Sequence, residues 1–287
     1  MSAPTVWPGG ARAAISVTVD NLGEAAEIEL GLRAADAPRG DHYSVTTALP
    51  IMLDTLATAQ LSATFFVEGV NAEIYPEALM AIGDAGHELA YHAWCHEDWS
   101  ALDVDAEAAN LDRGLAALRA IGVEVAGFRP PGGRITARTL ELLASRGLRY
   151  CSPAGSVAGF DRVAVLPFAW LAVDAFHVLP AFAALRKHLT ADSEPGGADA
   201  VHAALLGSVE NALASGCHAT LVFHTWMIEL ELAAVRDILA RIGSAVDAGD
   251  LWAAPCGEIA AWMTEQRANF SDSPRLDETS WMTPPSK

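Results

Sequence analysis

The chain has 287 residues, of which 52% are apolar and 19% charged, and its formal net charge is −18. A chain of this length can bury a sizeable core in one large α/β domain or in two small ones. Strong negative charge repels phosphate backbones and anionic lipid heads, so we expect neither nucleic acid nor a membrane surface as a partner.

Targeting signals are not apparent in the sequence. Residues 1–10 lack the basic and apolar regions of a signal peptide, and no apolar run reaches the roughly 18 residues that a bilayer span needs. The four cysteines form no CxxC pair, which favours reduced thiols. We therefore expect a cytoplasmic protein.

Short apolar runs alternate with amphipathic stretches along the chain. The apolar runs predict strands at 13–19, 63–67, 88–91, 127–129, 150–152, 163–168, 219–223 and 251–253. The stretches with helical spacing predict helices at 45–59, 75–85, 104–121, 136–146, 199–215, 229–248 and 257–268. Glycines at 86, 122 and 147 fall where three of these helices should end.

Repeated strand–helix units of this size predict a mainly parallel sheet. About seven or eight such units favour a distorted (β/α)7–8 barrel, although an open doubly wound sheet is also compatible with the pattern. No linker divides the chain, so we predict one domain over 1–270 and a loosely ordered polar tail over 271–287. A long charged insert at 22–42 follows the first strand, where barrel loops often carry chemistry.

Polar side chains stand at the ends of four predicted strands. In a parallel barrel the carboxyl ends of the strands share one face, so side chains placed there should converge. The residues at these ends are Asp20 and Asn21, His92 and His96, Arg129, and His224.

Each of these residues also has an ordinary structural explanation. Two histidines four residues apart can hold one metal ion, but they can also be unrelated loop residues. Asp20 directly after a buried strand is costly unless it is paired or used, although aspartate also caps helices. Arg129 before two prolines and two glycines indicates a rigid turn near a ligand or a surface arginine, and His224 can be a core histidine. Their coincidence on one face is what favours a catalytic site.

The order of the segments resembles the polysaccharide deacetylase (NodB-homology) family of de-N-acetylases. The resemblance covers roughly residues 12–262. It is carried by SVTVDN (16–21), ATFFVEG (63–69), AGHELAYHAWCHE (85–97), GFRPPGG (127–133), TLELLASRGLRYCS (139–152) and TLVFHT (220–225). The segments at 166–175 and 249–262 look closer to the intracellular peptidoglycan-deacetylase-like and allantoinase-like branch.

This resemblance implies an acid–base pair. In the family, the first-motif aspartate is the general base, here Asp20, and the third-motif arginine orients it, here Arg129. The last-motif histidine is the general acid, here His224. An aspartate of the fourth motif tunes that histidine, and Asp174 is the weaker match.

The resemblance also implies a divalent metal, with Zn²⁺ favoured, held by His92 and His96. The family's third ligand is an aspartate, and Asn21 stands at that position. An amide oxygen is a neutral and weaker ligand than a carboxylate. The substitution therefore predicts weaker metal binding, or transfer of the ligand role to Asp20 or Glu24.

The substrate pocket departs from the family pattern in one further way. The bulky aromatic residue after RxP is replaced by Gly132, whose backbone N–H can still serve an oxyanion while the pocket gains space. Four tryptophans close in sequence to the site residues could line this pocket or belong to the core: Trp94, Trp99, Trp170 and Trp226.

Together these features predict a metal-dependent hydrolase of a C–N amide bond, a de-N-acylase acting on a small cytoplasmic N-acyl compound or amino sugar. Asn21 favours a different activity, that of a metal-independent cyclic ureide or imide hydrolase of the allantoinase-like kind. The sequence is also compatible with a non-catalytic binding protein on the same fold, and with Cys95 as a nucleophile. The related branch often forms symmetric assemblies, so a homo-oligomer is compatible with the resemblance.

Overall fold

The computed structural model describes residues 7–279. The strands among these residues are β1 (Ala13–Asp20), β2 (Thr64–Val67), β3 (Glu88–Tyr91), β4 (Gly127–Phe128), β5 (Tyr150–Cys151), β6 (Gly155–Val157), β7 (Gly159–Asp161), β8 (Val163–Val165), β9 (His218–His224), β10 (Leu251–Ala253) and β11 (Arg275–Leu276). The helices are α1 (Ala25–Glu29), α2 (Leu49–Thr58), α3 (Asn71–Ile74), α4 (Pro76–Asp84), α5 (Val104–Ala120), α6 (Thr139–Ser145), α7 (Asp174–Val178), α8 (Ala183–Thr190), α9 (Ala198–Ser215), α10 (Ile228–Asp247) and α11 (Cys256–Glu265).

A curled parallel sheet forms the centre of the fold. Its strands follow the order β10, β1, β2, β3, β4, β5 and β8, with β9 also paired to β1 and with β7 antiparallel to β8. A single parallel bridge between Val173 and Val222 joins the segment after β8 to β9, which brings the sheet back on itself. The predicted distorted β/α barrel is confirmed.

Strand β1 is buried along its whole length, because neighbouring strands and helices cover it on every side. Its apolar side chains pack in the main core, while Ser16 and Thr18 contact polar groups of the neighbouring strand β9. Thr18 donates to the carbonyl of Leu221 at 2.8 Å, and Ser16 Oγ lies 3.1 Å from His218 Nε2. Successive side chains on a strand point to opposite faces, so Thr18 and Asp20 share one face.

The helices bury one apolar face each against the sheet. The carboxylate of Asp103 caps α5 by accepting from the backbone N–H groups of Asp105 and Ala106. Leu111, Leu115 and Leu118 then recur at helical spacing and pack into the core. Within residues 7–279, no helix is both long and apolar enough to cross a membrane.

The C-terminal segment differs from the predicted loose tail. Arg275 and Leu276 form β11, which pairs antiparallel with β6, and the backbone N–H of Asp277 donates to Ala154 O at 2.9 Å. These contacts satisfy backbone groups of 154–160 that the main sheet leaves exposed, so part of the predicted tail packs on the domain, while the boundary at 271 stays a prediction. Residues 1–6 of the predicted domain and 280–287 of the predicted tail lie outside the described residues.

Two helical glycines test how tightly the core is packed. A Cβ at Gly114 in α5 would overlap the Tyr91 ring, whereas a Cβ at Gly207 in α9 meets nothing within 4 Å. We expect Gly114→Ala to lower the free energy of unfolding by about 1–3 kcal/mol, as overpacking does. The matched Gly207→Ala should raise it by about 0.5–1 kcal/mol through helix propensity. Urea denaturation of both variants checks this, and equal effects would contradict the described packing.

Candidate active site

The polar residues at the strand ends surround one cavity. The cavity has a volume of about 250 Å³ and opens at the carboxyl ends of β1, β3, β4 and β9. The predicted site residues that line it are Asp20, Asn21, His92, His96, Arg129, Gly132, His224 and Trp226. The convergence expected from the sequence is therefore present.

Asp20 and Arg129 form a buried ion pair on the cavity floor. Arg129 Nη1 donates to Asp20 Oδ1 at 2.7 Å and to Thr18 Oγ1 at 2.8 Å, and Nη2 donates to Ser152 Oγ at 2.9 Å. The guanidinium carbon lies 4.0 Å from the centre of the Phe66 ring. These contacts fix the arginine, whose side chain is 1% exposed, and the arginine in turn fixes the carboxylate.

His224 and Asp174 form a second pair. His224 lies in register with Asp20 on adjacent parallel strands, so both side chains leave the sheet at the same level. Asp174 Oδ1 lies 2.5 Å from His224 Nδ1, and Asp174 Oδ2 accepts from the backbone N–H of His224 at 2.7 Å. Burial alone would lower the pKa of His224, but the charge and hydrogen bond of Asp174 outweigh it and leave the pKa raised.

The two remaining histidines lie side by side, with ring centres 5.1 Å apart. His92 Nδ1 lies 2.8 Å from the Arg129 carbonyl, which can only accept, so neutral His92 carries its lone pair on Nε2. Burial lowers the pKa of His92 and that of His96 to about 3, which keeps both rings neutral. Neutral imidazoles oriented by a backbone carbonyl are suited to holding a metal ion.

The loops that carry these groups contain three non-glycine residues in the left-handed backbone region. Asn21, Ala93 and His96 all have positive φ, at 61°, 63° and 67°. Such conformations cost about 1–3 kcal/mol each and are typical of ligand and active sites.

The residues present fit a divalent cation with neutral ligands. The buried Asn21 Oδ1 and His96 Nδ1 have no hydrogen-bond partner among residues 7–279, and His92 offers Nε2. Over the same range, no three His, Cys, Asp or Glu side chains cluster as metal ligands would. Any cation here would therefore rest on two imidazoles and an amide oxygen.

A carboxylate is not free to replace the missing ligand. Glu24 accepts from Tyr75 Oη at 2.8 Å and from the backbone N–H of Gly40 at 2.9 Å, and it does not line the cavity. Asp20 is held by Arg129, although it faces the cavity. Glu24 is therefore engaged away from the cavity, and the predicted transfer of the ligand role to Asp20 or Glu24 stays a prediction.

Of the four tryptophans, two line the cavity and two do not. Trp170 and Trp226 lie on its wall. Trp94 lies under the guanidinium of Arg113, with 3.5 Å from its ring centre to Cζ, and Trp99 donates to Glu107 at 2.9 Å in the core. Trp94 therefore does not line this cavity, because its side chain leaves the 92–96 loop on the face that packs against α5, and its role as a substrate residue stays a prediction.

Cys95 is unsuited to act as a nucleophile. Burial, followed by the charge of Glu97, raises the pKa of its thiol to about 11. Its sulfur lies 3.6 Å from the carbonyl of Ala25. A neutral thiol in this environment is a structural residue.

Sequence reasoning missed the residues that support the loop after β1. Glu68 Oε2 accepts from the backbone N–H of Leu22 at 3.2 Å, and Asn71 Nδ2 donates to the Leu22 carbonyl at 2.9 Å. Burial raises the pKa of Glu68 to about 8. A carboxyl directly after the buried strand β2 was the signal that could have found this support.

Part of the chain is similar to proteins of a known family. Residues 36–151 match the family model described as polysaccharide deacetylase. A peptidoglycan deacetylase-like protein of Gibberella zeae is 34% identical over 111 residues, which cover 38% of this chain and 32% of that protein. The chain thus matches about a third of this curated relative.

Two solved structures share the fold. One from Mycobacterium smegmatis, provisionally named a polysaccharide deacetylase, has a TM-score of 0.79 at 25% identity and covers 100% of this chain and 99% of that one. The allantoinase PuuE has a TM-score of 0.72 at 18% identity, covering 92% of this chain and 94% of its own, which shows the fold alone. Residues 36–151 thus resemble the polysaccharide deacetylase family, and the chain shares the fold of these solved structures.

Proposed function

We propose that the protein is a hydrolase that cleaves the C–N bond of a small N-acyl compound. The observation that carries the proposal is that an Asp–Arg pair and an Asp–His pair flank one cavity at the same level of adjacent strands. General acid–base catalysis of amide cleavage needs one group that accepts a proton from water and another that donates to the leaving nitrogen.

Asp20 supplies the base in this proposal. Arg129 and its partners hold the carboxylate at the cavity floor, which fixes the direction from which a water can approach. As that water attacks the carbonyl carbon, its proton passes to the carboxylate. Arg129 holds the carboxyl group in place throughout this step.

His224 supplies the acid. Asp174 accepts from Nδ1, so the proton on Nε2 is the one that can be donated to the departing amine. The raised pKa keeps His224 charged to higher pH than an ordinary histidine. The amine leaves with that proton, and the acyl group leaves as a carboxylic acid.

A divalent cation, with Zn²⁺ favoured, would be held by His92, His96 and Asn21. When bound, it would polarise the scissile carbonyl and stabilise negative charge on its oxygen. Gly132 lines the cavity, and its backbone N–H is a candidate second donor to that oxygen.

The cavity size supports a small substrate rather than a polymer chain. A volume of about 250 Å³ suits an acyl group and a few further atoms. A cytoplasmic small molecule, the absence of nucleic-acid and membrane partners, and assembly into a homo-oligomer stay predictions.

A metal-independent cyclic ureide or imide hydrolase is the second candidate. Asn21 favours it, because two imidazoles and one amide leave a dication without an anionic ligand of its own. In such an enzyme neutral His92 would accept a hydrogen bond at Nε2 from a ring N–H, and His96 would donate one to a ring carbonyl.

Chelation separates the two candidates. We expect the protein to lose most amide turnover after dialysis against a chelator and to regain it with one equivalent of Zn²⁺. His92→Ala should bind less than about a tenth of the metal. Losing a contact that only supports a ligand lowers metal affinity by about 10–100-fold, and losing the ligand itself should lower it at least as much. Metal analysis and an amine-release assay measure both. Full turnover of a cyclic ureide after chelation, with His92→Ala metal content unchanged, would support the second candidate instead.

A further inference from the structure

One wall of the cavity is apolar. It faces the polar floor and is built by the irregular segment that follows β8, together with β9. Its residues are Phe168, Trp170, Val173, Leu179, Phe182 and Val222. The bridge between Val173 and Val222 attaches this wall to the strand that carries His224, so it stands beside the acid.

Trp170 is held in one position on this wall. Its ring meets Phe168 edge-on at 5.2 Å between centres and lies 5.7 Å from Phe182. The backbone of Gly133 approaches so closely that a Cβ there would lie 3.0 Å from the indole. The residue is 5% exposed, so its orientation is fixed by packing before any substrate arrives.

The indole N–H of Trp170 has no partner within the described part of the chain. Its Nε1 is buried, and none of the residues between 7 and 279 accepts from it. Leaving a buried donor unpaired costs about 1–3 kcal/mol, and such groups in native structures usually have a functional explanation. An acceptor atom on a ligand in the cavity would supply the missing partner.

The wall is poorly suited to a sugar ring. A pyranose carries several hydroxyls, each of which needs a polar partner once it is buried, and the wall offers one N–H. Two further apolar residues also line the cavity: Leu30, which is 40% exposed, and Leu32, which is 77% exposed. Exposed leucines beside an apolar wall favour a ligand that covers them.

We propose that the substrate carries an aromatic or branched aliphatic group next to the scissile amide, and that Trp170 donates its indole N–H to an oxygen of that substrate. The proposal rests on the proposed amide hydrolysis by the polar floor. It makes Trp170 a specificity-determining residue and predicts that an unsubstituted N-acetyl sugar is not the preferred substrate.

The test measures kcat/KM on two series of amides, one extended on the acyl side from acetyl to isovaleryl and phenylacetyl, the other extended on the amine side. N-acetylglucosamine is the polar comparison. We expect kcat/KM in at least one series to rise by about tenfold or more with apolar size, as filling an apolar pocket does.

Trp170→Phe, which keeps a ring and removes the N–H, should lose about tenfold in kcat/KM on the favoured amide. Trp252→Phe is the matched control, because Trp252 lies on β10 against Trp7 and away from the cavity.

Calorimetric binding of the same amides gives a readout that does not need turnover. Tighter binding of the apolar amides that is lost in Trp170→Phe and kept in Trp252→Phe would support the inference even if no amide were cleaved. Absent cleavage would then count against the proposed function alone. N-acetylglucosamine as the best substrate, or equal binding by both tryptophan variants, would overturn the inference and leave the proposed hydrolysis standing.

Discussion

Asp20→Ala should lower the free energy of unfolding by about 3–5 kcal/mol and also reduce amide turnover by about 10²–10⁴-fold. The first effect follows because the 1% exposed guanidinium of Arg129 would keep two hydroxyl partners and lose its only carboxylate partner within the described part of the chain. The second follows because the proposed base is gone. Urea denaturation and an amine-release assay measure the two effects separately.

Two further variants give this prediction its controls. Asp112→Ala removes a carboxylate that pairs with Arg146 at 2.9 Å on the surface, and it should cost less than about 1 kcal/mol. Asp20→Ala combined with Arg129→Met should recover much of the stability, because no charge is left buried alone, but none of the turnover. An Asp20→Ala protein as stable as the wild type would show that the pair is not buried as described.

Asp174→Asn should shift the alkaline limb of the pH–rate profile to lower pH. Asp174 raises the pKa of His224 against the opposing effect of burial, so removing its charge lets burial dominate and the pKa falls. The acid is then deprotonated at a pH where the wild type is still charged. Turnover at pH 8 should fall by about 10²-fold, within the range of general acid catalysis, and by less at pH 6.

Asp174→Asn should also change how the free energy of unfolding depends on pH. Because the folded pKa of His224 is raised, its contribution to stability is fully present below the pKa of an unfolded histidine. It is lost as the pH rises through the folded value. Asp237→Asn is the matched control, since Asp237 accepts from His202 Nε2 at 2.6 Å on the outer helices. An alkaline limb that moved equally in both variants, or in neither, would count against His224 as the acid.

Much of the barrel was predictable because buried parallel strands are nearly continuous apolar runs. The predicted strands at 88–91 and 251–253 match β3 and β10, and β1 extends only one residue beyond its prediction. The predictions fail where pairing is remote or helices are short. Strands β6 and β11 pair across more than a hundred residues, and α7 has five residues, too few for a helical period to show.

The convergence of polar residues at the cavity was predictable for a physical reason. Charged and imidazole side chains directly after buried strands are costly without a use, and parallel topology places those ends together. The partner of His224 was harder to predict. Asp174 lies fifty residues away in the chain, and only the backbone bridge between Val173 and Val222 brings the two segments together. The apolar wall gave no periodic pattern, since it comes from the irregular segment around Trp170.

The most direct test of hydrolysis at this cavity is the stoichiometry of product release from an N-acyl amide in ¹⁸O-labelled water. We predict equal amounts of free amine and of singly labelled carboxylic acid from the wild-type protein, with both lost in Asp20→Asn. No release from any amide, imide or ureide, with or without added Zn²⁺, would contradict hydrolysis at this cavity and leave a binding protein on a deacetylase fold.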